Sequence, residues 1–78
     1  MPRYFFNTID GQRYPDEEGA ELAGMPAVKA RATKVIGEML KERAEDFWDT
    51  GKLRLEVTNE AGEVVLALEV ALRTDLAA

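Results

Sequence analysis

The clearest pattern of hydrophobic and polar positions lies in the last third of the chain. Apolar and polar residues alternate over residues 53–58, as in a strand with one buried face, and alternation resumes over residues 64–70. The intervening residues 59–62, Asn-Glu-Ala-Gly, are typical of a four-residue hairpin loop. A loop of this length predicts three apolar pairs on one face of the sheet: Val57 with Val64, Leu55 with Leu66, and Leu53 with Leu68.

The start of the chain is rich in aromatic and β-branched residues. Residues 3–9, Arg-Tyr-Phe-Phe-Asn-Thr-Ile, are typical of a strand. Asp10 and Gly11 follow directly and predict a two-residue hairpin turn, because glycine adopts positive φ freely. We therefore expect a short return strand at about residues 12–14, ended by Pro15.

An acidic loop follows over residues 16–22. Asp16 is expected to turn the backbone with its own side chain, and Gly19 to adopt the left-handed conformation. Leu22 is the apolar residue that returns this loop to the core.

A helical periodicity over residues 25–48 predicts the one helix of the chain. Gly24 and Pro26 mark its start, and Gly51 its stop. One broad stripe carries the apolar side chains, namely Met25, Val28, Ala32, Val35, Ile36, Met39, Leu40 and Phe47. Arg43 lies within this stripe, and we expect its stem to follow the core while its charged head reaches water.

The order of these elements predicts an α+β domain of β-β-α-β-β type, with one helix on a four-stranded, mostly antiparallel sheet. It spans residues 1–78, of which 70–78 are expected to form a frayed tail, with Leu72 and Leu76 supporting one short helical turn. The first and last strands carry apolar residues on both sides, so we place them at the centre of the sheet and the other two at its edges.

Composition narrows the classes of function. The 78 residues include no cysteine and no histidine, which excludes disulfides, thiolate chemistry and the commonest general base and metal ligand. The net charge of −5 repels phosphate backbones and anionic lipids. No apolar segment approaches the roughly 18 residues that span a membrane. We expect a cytoplasmic, non-enzymatic protein with no cofactor, no catalytic residues and no membrane partner.

The acidic loop is the best candidate for a metal site. Its carboxylates belong to Asp16, Glu17, Glu18 and Glu21, and such a group could hold calcium. The spacing is not that of an EF-hand, because glycine stands at the fourth position. A solvated acidic turn before a helix is the favoured interpretation, so we predict no metal site.

Asp46 and Asp49 flank an aromatic pair, as the carboxylates of a glycosidase can. That chemistry needs a deep cleft, which a chain of this length with one helix can hardly build. Helix-end charges beside aromatics that close the core are favoured. The glycines match no phosphate-binding loop.

Nucleic-acid binding is a further alternative, because a helix on a sheet is a common RNA-binding layout. Phe5 could stack on a base, with Arg3, Arg13 and Arg54 as cationic partners. Glu56 and Glu69 on the strand face, and the acidic balance of the whole chain, oppose this alternative.

The face of the sheet away from the helix is the candidate interaction surface. Alternation points Phe5, Asn7 and Ile9 outward beside Val65 and Ala67, and an exposed apolar patch of this kind marks protein–protein contacts. An edge strand is a second route to association. Trp48 lies off the helical stripe and is either a further anchor or, as favoured, folded under the end of the helix.

Several motifs resemble a family of short bacterial proteins that is a domain of unknown function. The similarity rests on the opening Met-Pro-Arg-Tyr-Phe-Phe, the Asp-Glu-Glu-Gly-x-Glu-Leu loop at 16–22 and the segment Leu-Glu-Val-Thr-x-Glu-x-Gly at 55–62. It implies a layout but no activity. Family members often have histidine where this chain has Asn7, and a capping aspartate where it has Gly24.

The layout is also similar, more loosely, to the N-terminal part of HicB-type antitoxins. That resemblance implies an acidic module that neutralises a basic protein partner. The leading hypothesis is instead an interaction module that associates with a protein partner or with a second copy of itself, through the open sheet face or an edge strand.

Overall fold

Five antiparallel strands and two helices make up the computed structural model, which describes residues 1–74. In chain order the elements are β1 (Arg3–Ile9), β2 (Arg13–Tyr14), β3 (Ala20–Glu21), α1 (Met25–Glu42), α2 (Phe47–Thr50), β4 (Lys52–Thr58) and β5 (Val64–Ala71). The predicted α+β class and antiparallel sheet are confirmed. The acidic loop adds the unpredicted β3, which pairs with the start of β1 at Arg3 and Tyr4.

The strand order β2-β1-β4-β5 corrects the predicted arrangement of the sheet. The third predicted strand, β4, lies at the centre beside β1, and the fourth, β5, lies at an edge. The inward side chains of β4 (Leu53, Leu55 and Val57) are at most 1% exposed. Strict alternation of apolar and polar residues therefore belongs to a central strand here. The charged side chains on the outward face of β4 are compatible with that position because they pair with charges on the neighbouring strands. Apolar residues on both sides of β5 did not indicate burial.

The β4–β5 register differs from the predicted one by two residues. Leu55 lies opposite Leu68 and Val57 opposite Leu66, so every apolar pair still shares one face. A tight turn within residues 59–63 and a bulge in β5 produce the shift. Asn59 N–H donates to Glu63 O at 3.0 Å, Gly62 adopts a φ of 83°, and the pairing slips by one residue between Val57 and Thr58.

The predicted single helix over residues 25–48 is interrupted. α1 ends at Glu42, a turn follows over residues 43–46, and α2 is one turn long. A continuous helix of this length would extend about 36 Å, whereas β4 with seven residues extends about 24 Å. The break lets Phe47 return to the core, and Gly51 is the helix stop, as predicted, with a left-handed conformation.

The core lies between α1 and the inward faces of the strands. Its buried residues are Phe6, Val28, Ala32, Ile36, Leu53, Leu55 and Val57. The apolar stripe predicted for the helix supplies three of these and, with Leu22, much of the partly buried shell. The helix packs across β4 and β5, which leaves the opposite face of the sheet open.

The end of the chain is more ordered than predicted as far as it is described. Val70 and Ala71, expected in the frayed tail, complete β5. Leu72 N–H donates to Gly51 O at 3.2 Å, so the chain remains tied to the start of β4. Residues 75–78 of the predicted tail lie outside the described residues, and with them Leu76 and the predicted helical turn.

Candidate functional site

The face of the sheet away from α1, here called the open face, is built from the outward positions of four strands. Partners in an antiparallel pair share a face, so the pairings Phe5–Thr58, Asn7–Glu56, Ile9–Arg54 and Ile9–Arg13 define it. On β5 it continues through Ala67, Glu69 and Ala71.

The acidic loop folds over one end of the open face. Asn7 is only 5% exposed, although it points away from the helix. Phe5 is half-buried, and a Cβ at Gly19 would lie 2.9 Å from its ring. The expected exposed patch is therefore covered at these two residues by residues 16–19. Sequence periodicity reports the face of a side chain but not a loop that crosses that face.

Hydrogen bonds from Asn7 and Asp16 hold this loop in place. Asn7 Oδ1 accepts from Asp16 N at 2.9 Å, and its Nδ2 donates to Glu56 O at 3.2 Å. Asp16 Oδ1 accepts from the N–H groups of Glu18 and Gly19, both at 3.1 Å. These bonds confirm the predicted turn, and they commit the Asp16 carboxylate to the backbone. Among the described residues, no group of three acidic side chains converges as a metal site would require.

Asp16 gives the loop a dependence on pH. Burial by itself raises the pKa of this carboxyl, but the N–H groups of Gly19, Phe6 and Glu18 outweigh that effect and lower the pKa below its ordinary 3.8. A lowered pKa in the folded state means that the unfolded chain binds more protons below about pH 4. The contribution of Asp16 is therefore present at neutral pH and is lost as the pH falls through 3.8 toward the folded-state pKa.

We expect Asp16→Ala to lower the free energy of unfolding by about 1–2 kcal/mol at pH 7, because Phe6, Glu18 and Gly19 lose an acceptor. Urea denaturation at pH 7, 5 and 3 measures this difference, which should shrink at the lowest pH. Glu17→Gln is the matched control, since Glu17 is exposed and accepts no hydrogen bond within residues 1–74. A difference between wild type and Asp16→Ala that stays constant from pH 7 to pH 3 would contradict the assignment.

A ladder of charged side chains crosses the rest of the open face. Glu56 on β4 receives Arg13 of β2 at 3.2 Å and Arg54 at 2.9 Å. Arg54 also reaches Glu69 of β5 at 3.2 Å, and Lys52 lies 3.9 Å from the same carboxylate. The hydrogen bond to Glu56, followed by that to Glu69, raises the pKa of Arg54, and Arg54 with Arg13 lowers the pKa of Glu56.

This ladder weakens two interpretations drawn from the sequence, which are nucleic-acid binding and an exposed apolar patch. The arginines considered for nucleic-acid contacts each have a carboxylate partner, since Arg3 pairs with Glu21 at 3.2 Å and the other two belong to the ladder. The apolar residues of the open face are also divided, because the charges of β4 separate Ile9 from Ala67.

The remaining candidate residues differ in exposure. Ile9 is half-buried, Ala67 is exposed, and Val65 is 36% exposed at the bulge of β5. Trp48 does not fold under the helix end as favoured: it is 58% exposed and forms a T-shaped pair with Phe47, with ring centroids 6.1 Å apart. Phe47 takes the core-facing position of α2, and the next residue of a helix points about 100° away from it. Their role in interaction stays a prediction.

The outer edge of β5 is the longest run of strand in the described part of the chain that lacks a neighbour. β5 has eight residues and pairs only with β4 among residues 1–74. The bond from Leu72 N–H to Gly51 O fixes the alternation of the ladder, so Val70, Leu68 and Leu66 bond toward β4. The backbone groups of Ala67, Glu69 and Ala71 therefore point outward.

An ion pair that sequence reasoning missed joins the first hairpin to the end of α1. The Asp10 side chain is 4% exposed, and its Oδ2 contacts Nη1 of Arg43, although no hydrogen bond of regular geometry reaches this oxygen. The head of Arg43 thus meets a buried carboxylate instead of lying free in water. Arg43 within an apolar stripe was the available signal, because a charge there needs a partner.

Comparisons with known proteins agree with the resemblance noted in the sequence. Within residues 1–74 no helix is both long and apolar enough to cross a bilayer. Searches of curated proteins and of solved structures found no match. A family model described as "Domain of unknown function (DUF6894)" matches residues 3–71, from the start of β1 to the end of β5. Since the match covers the whole described sheet, the chain belongs to this domain family.

Proposed function

We propose that this protein is a non-enzymatic interaction module that pairs with a second copy of itself through the outer edge of β5. The observation that carries the proposal is an eight-residue strand whose outward backbone groups have no partner within residues 1–74. Such an edge is a ready template for another strand.

β5 lacks most of the features by which proteins protect an edge strand. Its sequence, Val-Val-Leu-Ala-Leu-Glu-Val-Ala, contains no proline and no lysine, and Glu69 is its single charge. Glu69 is also bound by Arg54 at 3.2 Å, so little free charge opposes pairing. The bulge at Val65 limits regular pairing to residues 66–71.

Two-fold symmetry, together with the bulge at Val65, favours one register for a pair of β5 strands. Antiparallel pairing about Leu68 sets Leu68 opposite itself, Leu66 opposite Val70, and Ala67 opposite Glu69 of the second copy. Each apolar residue then meets an apolar residue on the helix side of the sheet. Pairing about Glu69 would oppose two carboxylates and is disfavoured.

The apolar side chains on the helix side of β5 also favour a second copy of the chain as the partner. Leu66, Leu68 and Val70 are only partly buried by α1. In the paired register these side chains of both copies share one layer, so pairing buries apolar surface in addition to backbone groups. The open face is a weaker candidate, because the acidic loop and the charge ladder occupy it.

Substitutions at Ala67 test both the edge and the register. Ala67→Glu sets like charges against Glu69 of the second copy and should weaken dimerisation at least tenfold. Ala67→Lys sets opposite charges there and should preserve or tighten the dimer. Ala67→Pro removes an outward N–H without touching the β4 ladder and should give monomers. Analytical ultracentrifugation from 1 µM to 500 µM measures each dissociation constant.

Ala30→Glu is the matched control, since Ala30 is an exposed helix residue and the change in charge is the same. Circular dichroism melts of every variant check that the monomer fold survives. A wild type that stays monomeric at 500 µM overturns the proposal, and so does Ala67→Glu with the affinity of Ala30→Glu. If Ala67→Lys instead lost the dimer, the favoured register would be the one in which the two Ala67 residues lie opposite each other.

The proposal includes a cytoplasmic location, which fractionation of the source cells tests. A basic protein partner, as the HicB-type layout implies, is the competing outcome. It predicts that a monomeric wild type is retained by an immobilised basic partner at low salt and released at high salt.

A further inference from the structure

A second surface feature lies on the side of β4 away from the outer edge of β5, where the first hairpin, α2 and the start of β4 meet. A pocket of about 430 Å³ is lined there by Ile9, Gly11, Thr50, Lys52 and Arg54. Its volume falls within the roughly 300–1,000 Å³ typical of small-molecule sites. Nothing lies within 4 Å of a Cβ built at Gly11, so the turn leaves the mouth open.

The cations of this pocket are not equivalent. Arg54 is bound through Nε to Glu56 at 2.9 Å and through Nη1 to Glu69 at 3.2 Å, so two of its in-plane donors are occupied. The guanidinium also has a flat face, which stacks well on aromatic rings.

Lys52 is the cation with capacity for an anion. Its side chain is 63% exposed, and its ammonium lies 3.9 Å from the Glu69 carboxylate that Arg54 holds more closely. Thr50 cannot serve as the anion's donor while its hydroxyl donates to Phe47 O at 3.3 Å. The ladder of Arg13, Lys52 and Arg54 against Glu56 and Glu69 leaves one positive charge in a chain of net charge −5.

We infer that this pocket binds a small aromatic carboxylate. The ring lies across Ile9 and the face of Arg54, which are neighbours on β1 and β4, and the carboxylate meets the ammonium of Lys52. Asp10, next to the pocket's Gly11, does not oppose an anion there, because its carboxylate is buried against Arg43.

The test uses 2-naphthoate as the probe, in a titration of the ¹⁵N-labelled protein followed by amide chemical shifts. We expect saturable shifts centred on Ile9, Gly11, Thr50, Lys52 and Arg54. Lys52→Gln should weaken binding at least fivefold. Lys29→Gln should leave it unchanged, because Lys29 is an exposed lysine on α1 outside the pocket. The neutral analogue 2-naphthylmethanol should bind at least fivefold more weakly than 2-naphthoate.

Three outcomes overturn the inference: shifts spread over the surface without saturation, equal affinity for the neutral analogue, or equal affinity of Lys52→Gln and Lys29→Gln. The inference does not depend on β5 pairing. Ala67→Pro, which adds no charge beside the ladder, should therefore bind 2-naphthoate as the wild type does, so a failure of dimerisation and a failure of this site are separable.

Discussion

Gly19→Ala is expected to lower the free energy of unfolding by about 2–4 kcal/mol, a large share of the stability of a domain this small. Gly19 has a φ of +71°, where an alanine costs about 1–2 kcal/mol. Its Cβ would also lie 2.8 Å from Tyr4 O, a backbone atom held in the pairing of β1 with β3. Neither the strain nor the contact can be relieved by a side-chain rotation.

Gly11→Ala is the control that separates these two effects. Gly11 has a φ of +92°, yet no atom lies within 4 Å of a Cβ built there. Its substitution should therefore cost only the backbone strain of about 1–2 kcal/mol. Urea denaturation of both variants measures the difference. Equal losses of stability would show that Gly19 is needed for its conformation alone and not for its approach to β1.

Gly19 also links the fold to the candidate surface. The loop that it closes lies against the ring of Phe5 and receives hydrogen bonds at Asp16. The sequence contained the signals for this turn, since Asp16 and Gly19 were both interpreted correctly. The position of the turn over β1 was not predictable from local pattern, because it depends on contacts between residues distant in the sequence, such as Gly19 with Tyr4 and Asp16 with Phe6.

The arrangement of the sheet was likewise predicted only in part from the sequence. Alternation predicted β4 and β5 as strands and set their apolar residues on one face. It did not predict which strand was central, because the charges of β4 are satisfied across the sheet by Arg13 and Glu69. In the observed register Arg54 lies opposite Glu69. Had this register been predicted, it would have indicated a ladder of charges on the open face and not an exposed apolar patch.

Arg43→Ala is the second substitution with a large expected effect, a loss of about 2–4 kcal/mol in the free energy of unfolding. The loss arises because the Asp10 side chain, 4% exposed, keeps a buried charge without its cation. We place it at or below the usual cost of breaking a buried pair, since the Arg43 side chain is itself 39% exposed. Lys41→Ala, at an exposed position near the same helix end, should cost about 0.5 kcal/mol or less.

A double-mutant cycle isolates the pair from the packing of the Arg43 stem. Asp10→Ala and Arg43→Ala together should destabilise less than the sum of the two single changes by about 1–3 kcal/mol, because the double variant has no orphaned charge. Additive losses would mean that the stem alone matters.

Arg43→Ala also distinguishes the two proposed binding surfaces, which are the outer edge of β5 and the pocket. Asp10 precedes Gly11, which forms a wall of the pocket, whereas the β5 edge lies beyond β4. Arg43→Ala, studied at a temperature where it remains folded, should therefore weaken 2-naphthoate binding and leave β5 dimerisation unchanged. Loss of both together would mean that the pair supports the whole sheet instead of positioning the hairpin.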